Sequence, residues 1–331
     1  MMRRFGTAVI QGAYAVAVVL LGWRAGAATP GTTIIRCTVI ICVLMLIALP
    51  SLTRRWAAFG PGAPAGAARA VRLGAYGLVC ALLPAILWLS NFAGARFAEC
   101  GAYERVCDHQ ELAQWRSERL SDAVSGSLMT FCLLLVYALG VLWLSAHRRA
   151  IPVRVVVIGA LAGVVGGVGG FALRPLGSSL TPANPALAWL YHLAVLLVLI
   201  GAPFAAGLLA ARSTPAPALD GQLSEEQLSN GTVAGLWAAT LGVLLLSVLT
   251  FPTMVLLADH VDLVWANPDP DVPHGTRYEI EMSVGDGSSE YLAFLLGGPL
   301  AGFGLGAGAA AIGSLGPRPR PTTGSRTSLP T

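Results

Sequence analysis

The sequence predicts an all-α integral membrane protein: eight transmembrane helices, read as two four-helix halves, under a small extracytoplasmic cap built from two long outer loops. Three observations predict it. Apolar residues make up 55% of 331, the mean hydropathy is +0.68, and 11% of residues are charged, against about 25% in soluble domains. Apolar runs of the length a bilayer demands recur along the chain. The arginines, which supply all 21 basic residues, are sorted by loop.

A spanning helix takes roughly 20 mostly apolar residues. Eight segments are read as spans, at 6–23, 34–52, 73–93, 123–145, 154–174, 186–210, 232–257 and 290–313. The first is short and holds Gln11 and Gly12, while 123–145 carries no charge at all. The fifth and eighth are rich in glycine.

Arginine placement orients the set. With the N-terminus cytoplasmic, the inner segments hold 13 arginines, including the doublets Arg54-Arg55 and Arg148-Arg149, against three acids, Asp220, Glu225 and Glu226. The outer segments hold eight arginines and 14 acids. Basic residues concentrate in short cytoplasmic loops, so the expectation is a plasma-membrane protein with both termini inside. The positive net charge is therefore no nucleic-acid signal. The start, MMRRF, a short apolar run and Ala25-Gly26-Ala27, also fits a cleavable secretory signal. An uncleaved first span is the reading adopted, as multi-span proteins commonly keep theirs.

Outer loops alternate short and long (24–33, 94–122, 175–185, 258–289), with a cytoplasmic linker of about twenty residues inside each half, 53–72 and 211–231. This pattern predicts parallel four-helix halves at 1–146 and 147–315, followed by a disordered cytoplasmic tail, 316–331, with too few apolar residues to bury.

Inside the membrane, Gly159, Gly163 and Gly167 in the fifth span and Gly298, Gly302 and Gly306 in the eighth are spaced by four. Small residues at that spacing let another helix backbone approach closely, and helix packing within the chain is the expectation. Pro84, Pro203, Pro252 and Pro299 fall inside spans. Each removes a backbone donor and strands a carbonyl that neighbours must satisfy. Interrupted helices of this sort line transporter sites. Ionisable residues within a membrane are costly and usually functional, and His192, beside Tyr191, is the one histidine well inside a span. The pair is the candidate intramembrane polar site, weighed against a packing role. No Asp or Glu lies deep in any span, which argues against a carboxylate proton relay and a two-aspartate protease.

In the outer loop 94–122, Cys100 and Cys107 stand with six residues between them, followed by His109. Structural zinc joins cysteines two to four residues apart, and an extracytoplasmic location favours oxidation, so a disulfide is expected and no metal. The segment 110–122 has helical character. In the loop 258–289, Asp259, Asp262, Asp269 and Asp271 are a candidate outer cation site, since oxygen ligands suit calcium. Their spacing matches no EF-hand, and outer acids follow from charge sorting anyway. The alternation of 278–284, ahead of Gly285-Asp286-Gly287, predicts a short strand and turn.

The resulting functional expectation is a permease-like or transport-associated protein for a small solute. The alternative is a non-catalytic membrane partner or assembly protein acting through its acidic outer loops. The expected partners are the lipid bilayer and, in the alternative, a membrane or extracytoplasmic protein; nucleic acid is not one. No nucleophile–base constellation points to an enzyme, and no cofactor is called for.

Overall fold

The computed structural model of the chain describes residues 2–24, 32–53, 56, 66–99, 109–146, 151–180, 185–214, 224–257 and 277–315. Within these, the backbone alone is described at 2–8, 91–99, 109–122, 174–180, 185–189, 191–192 and 277–290, and at a few terminal positions.

Among the described residues the chain forms eight α-helices and no strand: α1 (Met2–Arg24), α2 (Thr32–Thr53), α3 (Gly66–Glu99), α4 (His109–Leu144), α5 (Val153–Leu180), α6 (Pro185–Ser213), α7 (Glu225–Leu256) and α8 (Arg277–Leu315). Seven of them, α2 to α8, carry stretches long and apolar enough to cross a membrane. In α1 the apolar stretch is shorter, Val9–Leu21. The chain is a multi-pass helical membrane protein in a lipid environment. Its exposed apolar side chains, such as Leu161, Leu197, Leu209 and Leu300, are what a bilayer solvates.

The helices overrun the apolar spans. The segment 109–122 is continuous with the fourth span, and 277–290 is helical and continuous with the eighth. The strand expected at 278–284 is therefore a correction: that run, with its Gly285-Asp286-Gly287 turn, lies inside α8. Extending an existing helix adds one hydrogen bond per residue fixed and needs no new nucleus, whereas a lone strand has nothing to pair with. Alternation over seven residues is a weak signal against a helix already nucleated next door.

α7 is the hub. It packs most extensively on α8 and α5, then on α6 and α3. Two ladders of small residues set these contacts. A Cβ at Gly159, Gly163 or Gly167 of α5 would meet the carbonyl oxygens of Ala234, Ala238 and Gly242 of α7 at 2.8, 2.7 and 2.7 Å. On the opposite flank, Gly231, Gly235, Ala239 and Val243 step up α7 against Ala310, Gly306, Gly302 and Gly298 of antiparallel α8. Gly207 of α6 joins this second ladder, its Cβ position lying 2.7 Å from the Gly306 Cα. Lipid tails are as apolar as leucine, so close backbone approach and its dispersion contacts take the place of a hydrophobic driving force.

At one end of the bundle Thr214, Gln227 and Asn230 are buried together. Asn230 donates through its amide nitrogen to the Thr214 hydroxyl at 3.0 Å, and that hydroxyl donates to the Ala210 carbonyl at 3.0 Å. Ser224 caps α7, accepting from the Gln227 N–H at 3.1 Å. The end of α6 is thereby clamped to the start of α7.

Candidate intramembrane polar site

Six prolines lie inside described helices: Pro50 (α2), Pro84 (α3), Pro175 (α5), Pro203 (α6), Pro252 (α7) and Pro299 (α8). Each leaves the carbonyl four residues earlier without its helical N–H. Three of those six carbonyls receive a tyrosine hydroxyl from a neighbouring helix. Tyr76 of α3 donates to the Leu46 carbonyl at 2.7 Å, opposite Pro50. Tyr14 of α1 donates to the Cys80 carbonyl at 2.8 Å, opposite Pro84. Tyr137 of α4 donates to the Leu295 carbonyl at 2.6 Å, opposite Pro299. With no water in a hydrocarbon core, a neighbouring helix is the available donor. The same three bonds tie α3 to α2, α1 to α3, and α4 to α8.

The third of these sits in a polar layer. Val243 of α7 lies against Gly298 of α8. One turn farther along α7 comes Ser247, and about one turn back along antiparallel α8 comes Leu295, so the two share a level. Thr250 follows Ser247 by three residues and shares its helix face. Phe251 meets Tyr291 edge to face at 5.9 Å just beyond. Ser247 is 0% and Thr250 2% exposed, and Tyr137 and Tyr291 are buried too. Among the described residues, the hydroxyl oxygens of Ser247 and Thr250 are buried with no hydrogen-bond partner. Their neighbours Thr240 and Thr253 on the same helix instead donate back to the Leu236 and Leu249 carbonyls at 2.7 Å each, the usual recourse of a membrane hydroxyl. An unpaired buried hydroxyl costs about 1–3 kcal/mol. Two of them on α7, at the level of the tyrosine-capped Leu295 carbonyl, are neutral groups that can donate and accept hydrogen bonds.

The residues singled out from sequence fall differently. The six glycines line the two ladders around α7. Tyr191 and His192 lie on α6, and their side chains are outside the described residues. Cys100, Cys107, Asp259, Asp262, Asp269 and Asp271 also lie outside the described residues. The described cysteines, Cys37, Cys42, Cys80 and Cys132, are free thiols within helices. Among the described residues no group of three His, Cys, Asp or Glu side chains is placed to hold a metal. The Ser247–Thr250 layer was not singled out from the sequence, because a search for ionisable groups passes over hydroxyls. No sequence signal sets these two hydroxyls apart from the paired Thr240 and Thr253 on the same helix.

No protein-family model, curated protein or solved structure matches this chain.

Proposed function

We propose that the chain is a permease-like protein of the plasma membrane for a small neutral solute, with eight spans in two four-helix halves and both termini cytoplasmic. The observation that carries the reading is the pair of buried, unpartnered hydroxyls of Ser247 and Thr250. A bundle with a purely structural interior would bond such groups to the carbonyl one turn back, as Thr240 and Thr253 do. The site offers hydroxyls and no charge, which suits a solute that both donates and accepts hydrogen bonds.

The division into halves rests on the helix pairing. In the first four helices the packed pairs are α1–α2, α1–α3, α2–α4 and α3–α4. In the second four, α5–α6, α5–α7, α6–α8 and α7–α8 correspond to those pairs, and α6 packs on α7 in addition. Between the halves, α3 packs chiefly on α7 and less on α5 and α8, and α4 bonds to α8 through Tyr137. Of these, α3–α7 and α4–α8 are the self-matching pairs expected across an axis relating parallel repeats. The arginine sorting supports the orientation. α1, 23 residues long, reaches about 34 Å at 1.5 Å per residue, enough to serve as the eighth span.

Stopped-flow light scattering of proteoliposomes, challenged with a panel of neutral osmolytes (glycerol, urea, acetamide, erythritol), tests the reading. At least one osmolyte should equilibrate faster than in protein-free vesicles, and the S247A/T250V variant should abolish the gain. Permeation equal to protein-free vesicles for every osmolyte, or a gain the variant leaves intact, refutes it.

A further inference from the structure

α6 changes character at its proline. Pro203 and, beyond it, Ala206, Gly207, Ala210, Ala211 and Thr214 are buried. This arm is held to α8 through Gly207 on Gly306 and to α7 through the Thr214–Asn230 bond. On the other side of the proline, no residue from 193 to 202 is buried. There the contacts with α5 run through Ala202 against Gly166, and through Val198 and Leu199 against Gly169 and Gly170. A lipid-facing row that includes Leu193, Leu196 and Leu197 covers the rest.

The joint between the arms lacks the tyrosine cap found opposite Pro50, Pro84 and Pro299, and unlike Pro252 of the buried hub α7 it adjoins an arm with no buried residue from 193 to 202. Among the described residues, the Leu199 carbonyl, stranded by Pro203, receives no side-chain donor, whereas the carbonyls stranded in α2, α3 and α8 are each capped by a tyrosine. Two residues before the proline stands Gly201, where an added Cβ would meet nothing within 4 Å. The glycine there serves no close packing; it loosens the chain. Proline and glycine together, with an uncapped carbonyl, are the recognised ingredients of a helix bend.

We infer that α6 is hinged at Gly201–Pro203, and that its N-terminal arm, residues 185–200, swings on a fixed C-terminal arm to uncover the Gly166–Gly170 face of α5 to the lipid phase. Small side chains on that face keep it smooth, so the arm can leave it without dragging interlocked side chains. The three tyrosine-capped helices form the static frame against which the arm moves. The motion is a property of the fold and stands whether or not a neutral solute crosses through the Ser247–Thr250 layer.

The test is 19F NMR of the full chain in nanodiscs, with a trifluoromethyl-phenylalanine placed at Leu197 on the moving arm or at Leu209 on the fixed one. Both positions face lipid, at 63% and 55% exposure, so the probe displaces no packing. The expected result is two exchanging resonances at position 197 and one at 209. G201A/P203A, which restores the N–H donor to the Leu199 carbonyl and removes the glycine, should collapse the pair at 197 to one. P203A alone should shift the populations in the same direction. A single resonance at both positions, two at both, or a pair at 197 that both variants leave unchanged overturns the hinge.

Discussion

Removing the Tyr137 hydroxyl strands the Leu295 carbonyl, because Pro299 has already taken away its helical donor. Tyr137→Phe keeps the ring and its packing and deletes a 2.6 Å bond between two buried groups. An acceptor left unsatisfied costs about 1–3 kcal/mol in proteins generally, while interhelical bonds within membranes average nearer 0.6 and reach about 1.7. The expected loss is therefore about 1–1.5 kcal/mol. Pro299→Ala supplies the control, since its N–H can bond Leu295 again. In that background Tyr137→Phe leaves no orphan, and its cost should fall to a few tenths of a kcal/mol. The coupling across the double-mutant cycle is then about 1 kcal/mol. Equilibrium unfolding in mixed detergent micelles, read by circular dichroism, measures all four corners. Tyr76 with Pro50, and Tyr14 with Pro84, provide two further cycles on other helices. Costs for Tyr→Phe that are the same with and without the proline would refute the capping argument.

Other outcomes follow from packing and topology. Gly306→Ala should destabilise by about 1–3 kcal/mol or more, since its Cβ would meet the Gly231 carbonyl oxygen at 2.6 Å and the Gly235 Cα at 3.0 Å. Gly304→Ala and Gly308→Ala, where nothing lies within 4 Å, should stay within about 0.5 kcal/mol by the same melts. Asn230→Ala should cost about 1–2 kcal/mol and make the 214–224 connection more sensitive to added protease, because the Thr214 clamp is lost. On intact cells, a membrane-impermeant thiol reagent should label Cys100 and Cys107 only after reduction; labelling without reductant would contradict both the outer disulfide and its reasoning.

The sequence made the helical membrane class legible because hydropathy over twenty residues reports burial in lipid directly. It placed an apolar span inside each of α2 to α8, although helix ends run past the spans, by seven residues at Gly66 (span from 73) and at Glu225 (span from 232). It failed at 278–284, where a local alternation was outweighed by the neighbouring helix extending through it. The glycine spacing identified the contact stripes on α5 and α8 but not their common partner, although α7 carries the matching small-residue steps Gly231–Gly235–Ala239 and Ala234–Ala238–Gly242. Pro50 escaped notice at the edge of its span, and the tyrosine caps were invisible for a plainer reason. Tyr137 and Leu295 are 158 residues apart, and nothing in a one-dimensional pattern brings them together. Ser247 and Thr250 read as unremarkable hydroxyls until their neighbours Thr240 and Thr253 proved to be paired and they did not.

The central claim is that a solute pathway reaches the buried layer at Ser247 and Thr250. Ser247→Cys, in protein whose other reactive thiols are blocked or replaced, puts a reporter at that depth. A small water-soluble methanethiosulfonate should modify it in proteoliposomes, and a permeant osmolyte should slow the modification. If the thiol introduced at position 247 stays unmodified while a cysteine placed in the 258–276 segment reacts to completion, the bundle is closed and the account is contradicted.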